Sequence, residues 1–177
     1  MKERPTGKES NREGESILTQ EFIEPILAVT KEFLKANDYL GPALFLRLEH
    51  DEETIVPLPH LSELKTTEER RSYFSSLGSS LRQAGEIIHE AVFVSQVWSV
   101  GPEEEGAFDI APSKHPKRKE AISIVGRDSQ GTRFTYVLQP FSRDSQNRPV
   151  FEPMEADYNI PLEEEKHSTG LIDHLFD

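Results

Sequence analysis

The loop Pro112–Pro116 and its flanks carry the side chains best suited to bind a ligand. Ser113 offers a hydroxyl, His115 an imidazole, and Arg118 a guanidinium at the mouth of the next predicted strand. A stiff loop with these three groups could hold a phosphate or a carboxylate. Arg143, a cation of a later hairpin region, completes the set of candidate ligand-binding residues.

A purely structural role for the same loop stays open. The prolines would stiffen a connection between two strands, while Arg118 pairs with an acid such as Glu90 or Glu120. No glycine-rich cradle or helix start follows the loop, as an anion site of the familiar kind would require.

Enzymatic chemistry has no matching signature in the chain. Ser113, His115 and Asp109 are the residue types of a nucleophilic triad, but no Gly-x-Ser-x-Gly elbow precedes the serine. His50, His89 and His115, with nearby acids, could bind a divalent metal if the fold brought them together. Their spacing fits no known metal motif. We therefore assign no catalytic residue, metal ligand or cofactor, and keep a hydrolase or metal-dependent enzyme as an alternative.

A basic patch at 113–148 suggests a second alternative, binding of single-stranded nucleic acid. The region holds eight basic and three acidic residues, whereas the whole chain carries a net charge of -12. Phe134, Tyr136 and Phe141 could interleave with the cations. Alternation would equally place the arginines in solvent and the aromatic rings in the core. The negative charge of the chain disfavours nucleic acid as a partner.

The composition indicates a cytoplasmic protein. The 177 residues include no cysteine, which excludes disulfides and thiolate metal sites and fits a reducing compartment. No apolar run is long enough to span a membrane, and the first fifteen residues are charged rather than basic and then apolar. We expect no membrane association.

Two helices are predicted. In the first, Thr19 to Asn37, the residues Leu18, Phe22, Ile26, Val29 and Phe33 recur at helical spacing and define one apolar face. Pro25 indicates either a kink or a helix that begins there. The second helix follows a capping box, Thr66 with Glu69, and ends near Gly85.

The strand signals complete an α+β fold. We predict a mainly antiparallel sheet of four to five strands with both helices packed on one face. The longest candidate, Glu86 to Val100, should be central, and Thr54 to Leu58 should be an edge because of its prolines. The other strands are Ala43 to Glu49 and a hairpin of Glu120 to Arg127 with Thr132 to Phe141, to which Pro149 to Phe151 could add a short strand.

The predicted domain organisation is a disordered leader (1–18), one α+β domain (19–152) and an acidic, largely disordered tail (153–177). The tail ends in an apolar tip formed by Leu171, Ile172, Leu175 and Phe176. Such a tip suits a docking peptide for a partner groove. It could equally be a helical turn that packs on its own domain.

One stretch resembles a known family. Trp98-Ser99-Val100 precedes Pro112-Ser113-Lys114-His115-Pro116-Lys117-Arg118-Lys119-Glu120-Ala121-Ile122, and Gln139-Pro140-Phe141-Ser142-Arg143-Asp144 comes later. This resembles a family of small uncharacterised bacterial and phage proteins in which a Pro-Ser-x-x-Pro-x-Arg-x-Glu-Ala pattern follows a strand ending near a tryptophan. The resemblance covers roughly Glu90 to Asp144. It implies a type of domain and no activity.

These observations favour a non-enzymatic accessory or protein-interaction domain. Catalytic spacing is missing, whereas a compact sheet with an acidic tail and an apolar tip suits binding. The partner would be another protein, or a second copy of the chain through the edge or open face of the sheet.

Overall fold

The computed structural model describes residues 15–161 and 170–177 and confirms an α+β fold with an antiparallel sheet. Neither α-helix in these residues is long and apolar enough to cross a membrane. The helices are α1 (Gln20–Ala36) and α2 (Thr67–Gln83). The strands are β1 (Ala43–Leu48), β2 (Glu53–Pro57), β3 (Ile88–Ser99), β4 (Lys119–Asp128), β5 (Arg133–Arg143), β6 (Pro149–Phe151) and β7 (Glu155–Pro161).

The strands lie in the order β2-β1-β3-β4-β5-β6, and β7 also pairs with β5. All pairings are antiparallel. As predicted, β3 is the longest strand, with 12 residues, and lies inside the sheet, while β2 forms an edge. The described sheet has seven strands rather than four or five: both short candidates, β2 and β6, form, and β7 adds a strand that was not predicted.

The two α-helices cover opposite faces of the sheet, so the prediction that both pack on one face is wrong. Val92 and Val94 of β3 share one core with α1. Ala91 shares a second core with Phe74 of α2, and Phe93 packs against that core. Successive side chains of a strand point to opposite faces, so the two cores flank β3. An uninterrupted apolar run is typical of a strand buried on both faces.

Local signals explain the best-predicted elements. The capping box of α2 forms, with Thr66 and Glu69 each accepting a backbone N–H of the other. In the β4–β5 turn the Asp128 carboxylate accepts the backbone N–H of Thr132 at 2.7 Å, and Gly131 takes a positive φ of 69°. These short-range contacts fix both elements without help from distant residues.

Buried Glu90 positions α1 on the sheet. Its carboxylate is 5% exposed and accepts hydrogen bonds from Ser16 Oγ (2.6 Å), the Ile17 backbone N–H (2.8 Å) and Arg47 Nε (2.8 Å). Burial alone would lower the pKa of Arg47, but Glu90 and then Asp51 raise it above its ordinary value. The network joins the chain before α1 to β1 and β3. Helix α1 then runs from Gln20 straight through Pro25, rather than beginning at the proline.

The chain ends differ from the predicted boundaries. Residues 1–14 of the predicted leader and 162–169 of the predicted tail lie outside the described residues. Ile17, assigned to the leader, is buried in the α1 core. Strand β7 falls in the predicted disordered tail, where Ala156 and Tyr158 pack against the same core. Their alternation is obscured in the sequence by the acids between them, so the ordered domain extends beyond residue 152.

Candidate functional site

Helix α1 has two apolar stripes, and only one of them packs under the helix. Ile23, Leu27, Thr30 and Leu34 form the buried stripe. Phe22, Ile26, Val29 and Phe33 each precede one of these by a single position, so they form a second stripe rotated by about 100°. In this second stripe Val29 is 70% exposed and Phe33 is also exposed. Phe22 and Ile26 pack partly against the same core. The face predicted from the sequence is therefore a half-buried flank of α1, and the fully buried face is its neighbour.

The second stripe overlooks uncovered sheet. Phe45 of β1 and Ile55 of β2 are cross-strand partners on the α1 side. The rings of Phe22 and Phe45 meet edge to face, with centroids 6.4 Å apart and an interplanar angle of 86°. Ile55 remains 60% exposed. A cavity of about 580 Å³ lies between the helix and these strands, and we call it the α1–β2 groove.

The groove is open because α1 lies over the middle of the sheet. The buried stripe packs on residues of β3, β4 and β5. Strand β1 meets the helix at the Phe22–Phe45 contact, and Ile55 of β2 is left exposed on this face. The opposite flank of α1 is polar and faces β6, where Lys31 Nζ lies 5.1 Å from the centre of the Phe151 ring. The apolar flank thus faces only the edge of the sheet.

The rim of the groove carries hydrogen-bond acceptors and negative charge. Glu21 and Glu53 line it, and none of the lining residues is basic. Pro25 also lines the groove and has no N–H to donate to the carbonyl of Glu21, one turn earlier in the helix. Arg47 is the nearby cation of β1, but Glu90 and Asp51 already bind it. The arrangement suits a ligand with an apolar part and a positively charged donor.

Among the sequence-predicted residues, His115 is used to close its own loop. It is 2% exposed, its Nδ1 accepts the backbone N–H of Lys117 at 3.1 Å, and its Nε2 lies 2.9 Å from the carbonyl oxygen of Glu105. An acceptor Nδ1 requires the proton to be on Nε2, which donates to that carbonyl. Neither ring nitrogen is free for a ligand. Ser113 lies on the surface, and its carbonyl accepts a hydrogen bond from Arg118 Nη1 at 2.8 Å.

The structure brings Arg118 and Arg143 to one end of the sheet, around the cross-strand pair Trp98 and Glu120. Arg118 stacks on the Trp98 ring at 4.6 Å. Arg143 Nε donates to Glu120 at 2.7 Å, and this carboxylate raises the pKa of Arg143 above its ordinary value. Arg143 also donates to the carbonyl oxygen of Asp38 at 2.8 Å, which ties the end of α1 to the sheet. Both guanidinium groups are engaged within the protein.

The histidines considered for a metal site do not gather. His89 lies near the start of β3, whereas His115 lies in the loop that follows the other end of that strand. His50 lies in the turn after β1 with a positive φ of 63°. The described residues contain no group of three or more histidines and carboxylates placed to hold a metal ion.

The basic patch at 113–148 is largely neutralised by nearby acids. Five of its eight cations form ion pairs with carboxylates: Lys117 with Glu104, Lys119 with Glu152, Arg127 with Asp173, Arg143 with Glu120, and Arg148 with Asp144. Each pairing lowers the positive charge available to a phosphate backbone. The geometry gives this surface less cationic character than the sequence suggests.

The four residues of the predicted docking tip contact their own domain. Ile172 and Leu175 are fully buried in the α2 core, and Leu171 and Phe176 pack against it. Residues 170–177, which we call the C-terminal segment, approach α2 closely at Gly78. Arg82 of α2 donates to the carbonyl oxygens of Leu175 and Asp177, at 3.0 Å each. A docking role for this tip stays a prediction that would require the segment to leave the core.

Sequence reasoning missed the groove because its residues are of the types that normally form a core. One signal was present: α1 carries seven large apolar side chains, Phe22, Ile23, Ile26, Leu27, Val29, Phe33 and Leu34, which is more than a single helix face holds. No family model, curated protein or solved structure matches the chain, so the family resemblance stays a prediction.

Proposed function

We propose that the protein is a non-enzymatic protein-interaction domain whose α1–β2 groove binds a segment of a partner protein. The observation that carries this proposal is the open groove in which Phe22 and Ile26 of the second stripe lie beside Phe45 and the exposed Ile55. Exposed apolar patches next to polar rims are typical of interaction sites. The lack of cysteine fits a reducing, intracellular location.

Charge identifies the kind of segment. The groove presents Glu21 and Glu53 at its rim, on a chain with a net charge of -12. A segment with apolar side chains flanked by lysine or arginine satisfies both the apolar floor and the acidic rim. A second copy of the chain would instead bring its own Glu21 and Glu53 to the interface. We therefore assign the groove to a basic, apolar segment of another protein.

A random-peptide display selection on the full chain tests this function. The groove variant is Ile55→Ser, and the matched control is Val150→Ser, which changes a half-exposed valine of β6 at the other edge of the sheet. Both positions are exposed, so the substitutions should leave the free energy of unfolding nearly unchanged.

We expect the selection to enrich peptides that combine apolar residues with lysine or arginine. Their dissociation constants, measured by fluorescence polarisation, should rise at least about tenfold for the groove variant and stay unchanged for Val150→Ser. Peptides that bind the groove variant as tightly as the unmodified chain would show that the groove is not the binding site.

A further inference from the structure

We propose that the partner segment binds as an additional antiparallel strand on the outer edge of β2, with one apolar side chain in the α1–β2 groove and a lysine or arginine two residues later. This inference rests on the proposed function and adds the binding mode and the sequence that the site selects.

The backbone of β2 is available for pairing. Leu48 donates its N–H to the carbonyl of Glu52 at 2.7 Å, and Leu58 donates to that of Pro42 at 2.9 Å. In an antiparallel pair the residues that bond to the neighbour alternate along the strand. Thr54 and Val56 therefore bond to β1, while the N–H and C=O groups of Glu53 and Ile55 point outward. No described residue bonds to these outward groups.

The same alternation controls the side chains. Ile55 pairs with Phe45 and lies on the α1 side of the sheet. Glu53, two residues away, shares that side and lines the groove beside Ile55. Backbone pairing and the groove thus coincide: a strand that bonds to Ile55 places the opposing side chain beside Ile55 on the α1 side of the sheet, at the outer end of the groove.

The charge of the β2 edge and the short stretch that it can pair determine which segment binds. Edge strands are commonly protected from pairing by charged residues and proline. Here Pro57 can offer only a carbonyl, so full pairing is limited to the Glu53–Ile55 stretch. Glu53 favours a cation opposite it and disfavours an acid. In an antiparallel strand the residue facing Ile55 comes two positions before the residue facing Glu53, so the selected sequence is apolar, any residue, then lysine or arginine.

Backbone methylation of a selected peptide tests the binding mode. In an added strand the residues facing Ile55 and Glu53 point their N–H groups at β2, whereas the residue between them points its N–H at solvent. N-methylation at either outer position should weaken binding to the full chain at least about tenfold, and at the middle position by less than about twofold. A helical peptide would instead show apolar anchors three and four residues apart.

A charge reversal on the protein provides the second measurement. Glu53→Lys should raise the dissociation constants of the selected peptides about tenfold. Replacing the peptide cation by glutamate should restore binding to this variant. Glu52→Lys changes the net charge equally but lies on the opposite face of the sheet, so it should leave the dissociation constant nearly unchanged.

The outcomes separate this inference from the proposed function. Groove-dependent peptides with helical spacing, or with no alternation in the methylation series, would overturn strand addition and leave the interaction domain standing. Self-association of the chain that Glu53→Lys alters, seen by analytical ultracentrifugation, would overturn the foreign partner in favour of a second copy. The absence of any groove-dependent peptide would overturn both proposals.

Discussion

Gly78 is the position where one added methyl group should reveal how the C-terminal segment is held. A Cβ at residue 78 would lie 1.9 Å from the carbonyl oxygen of Leu175 and 2.8 Å from its carbonyl carbon. Both are backbone atoms, so no side-chain rotation relieves the contact. Gly78→Ala therefore requires the segment to move away from α2.

Two opposing effects decide the sign of the change in stability. Replacing glycine by alanine inside a helix stabilises it by about 1 kcal/mol. Displacing the segment exposes Ile172 and Leu175, whose burial is worth about 1.5–3 kcal/mol each, or about 3–6 kcal/mol together. The released residues regain backbone entropy, which offsets part of this loss. We expect Gly78→Ala to lower the free energy of unfolding by about 1–3 kcal/mol.

Removing the C-terminal segment should turn Gly78→Ala from a destabilising into a stabilising substitution. In a chain truncated after residue 169 no Leu175 carbonyl opposes the new Cβ, so Gly78→Ala should raise the free energy of unfolding by about 1 kcal/mol. Urea denaturation followed by circular dichroism measures all four proteins. Ser76→Ala, at an exposed position of the same helix, is the control and should behave alike in both backgrounds. A stabilising Gly78→Ala in the full chain would refute the described packing.

Three further changes test other parts of the structure. Glu90→Ala should lower the free energy of unfolding by about 3–5 kcal/mol in urea denaturation because it removes the buried acceptor shared by Ser16, Ile17 and Arg47 and leaves Arg47 paired with Asp51 alone. Removing both Glu90 and Arg47 should cost less than the sum of the single losses. The backbone N–H groups of Thr66, then Lys65, lower the pKa of Glu69, so its stabilising effect is present above its ordinary value of 4.5 and is lost as the pH falls through the lowered pKa. Urea midpoints of the unmodified chain and Glu69→Gln should thus differ near neutral pH and converge in acid. His115→Ala removes both hydrogen bonds that close the loop 101–118, and limited trypsin digestion should cut there faster.

The elements predicted best from the sequence are those with short-range causes. The β4–β5 hairpin depends on Asp128 and Gly131 within its own turn, and α2 on the capping box of Thr66 and Glu69. The position of β3 inside the sheet follows from its length and apolar content. In each case the residues that determine the structure lie within or beside the element itself.

The elements predicted wrongly depend on distant partners. The sequence offers two apolar stripes on α1, and the choice between them is made by Glu90 and Arg47, which hold the residues before the helix. Strand β7 forms because β6 covers only the last part of β5, from Phe141 to Arg143, and leaves the remainder to be paired. No local sequence pattern indicates which stripe of α1 is buried or that β7 forms.

The candidate site was hidden for the same reason. Phe22, Ile26 and Ile55 are ordinary core residue types, and only the placement of α1 over β3 to β5 leaves a groove open between them. Ser113, His115 and Arg118 were predicted to bind a ligand because of their side-chain chemistry. In the structure His115 and Arg118 make contacts that hold their own loop and strand.

Val29 and Phe33, the exposed members of the second stripe of α1, are difficult to explain by folding alone. Val29 is largely exposed, so little of its side chain contributes to burial, and valine is a weaker helix former than alanine or lysine. Phe33 likewise leaves much of an aromatic ring in solvent. Folding free energy would favour polar or straight-chain residues at both positions. Their apolar character is consistent with the binding surface proposed above, and the acidic charge of the chain would counter the association that exposed apolar residues promote.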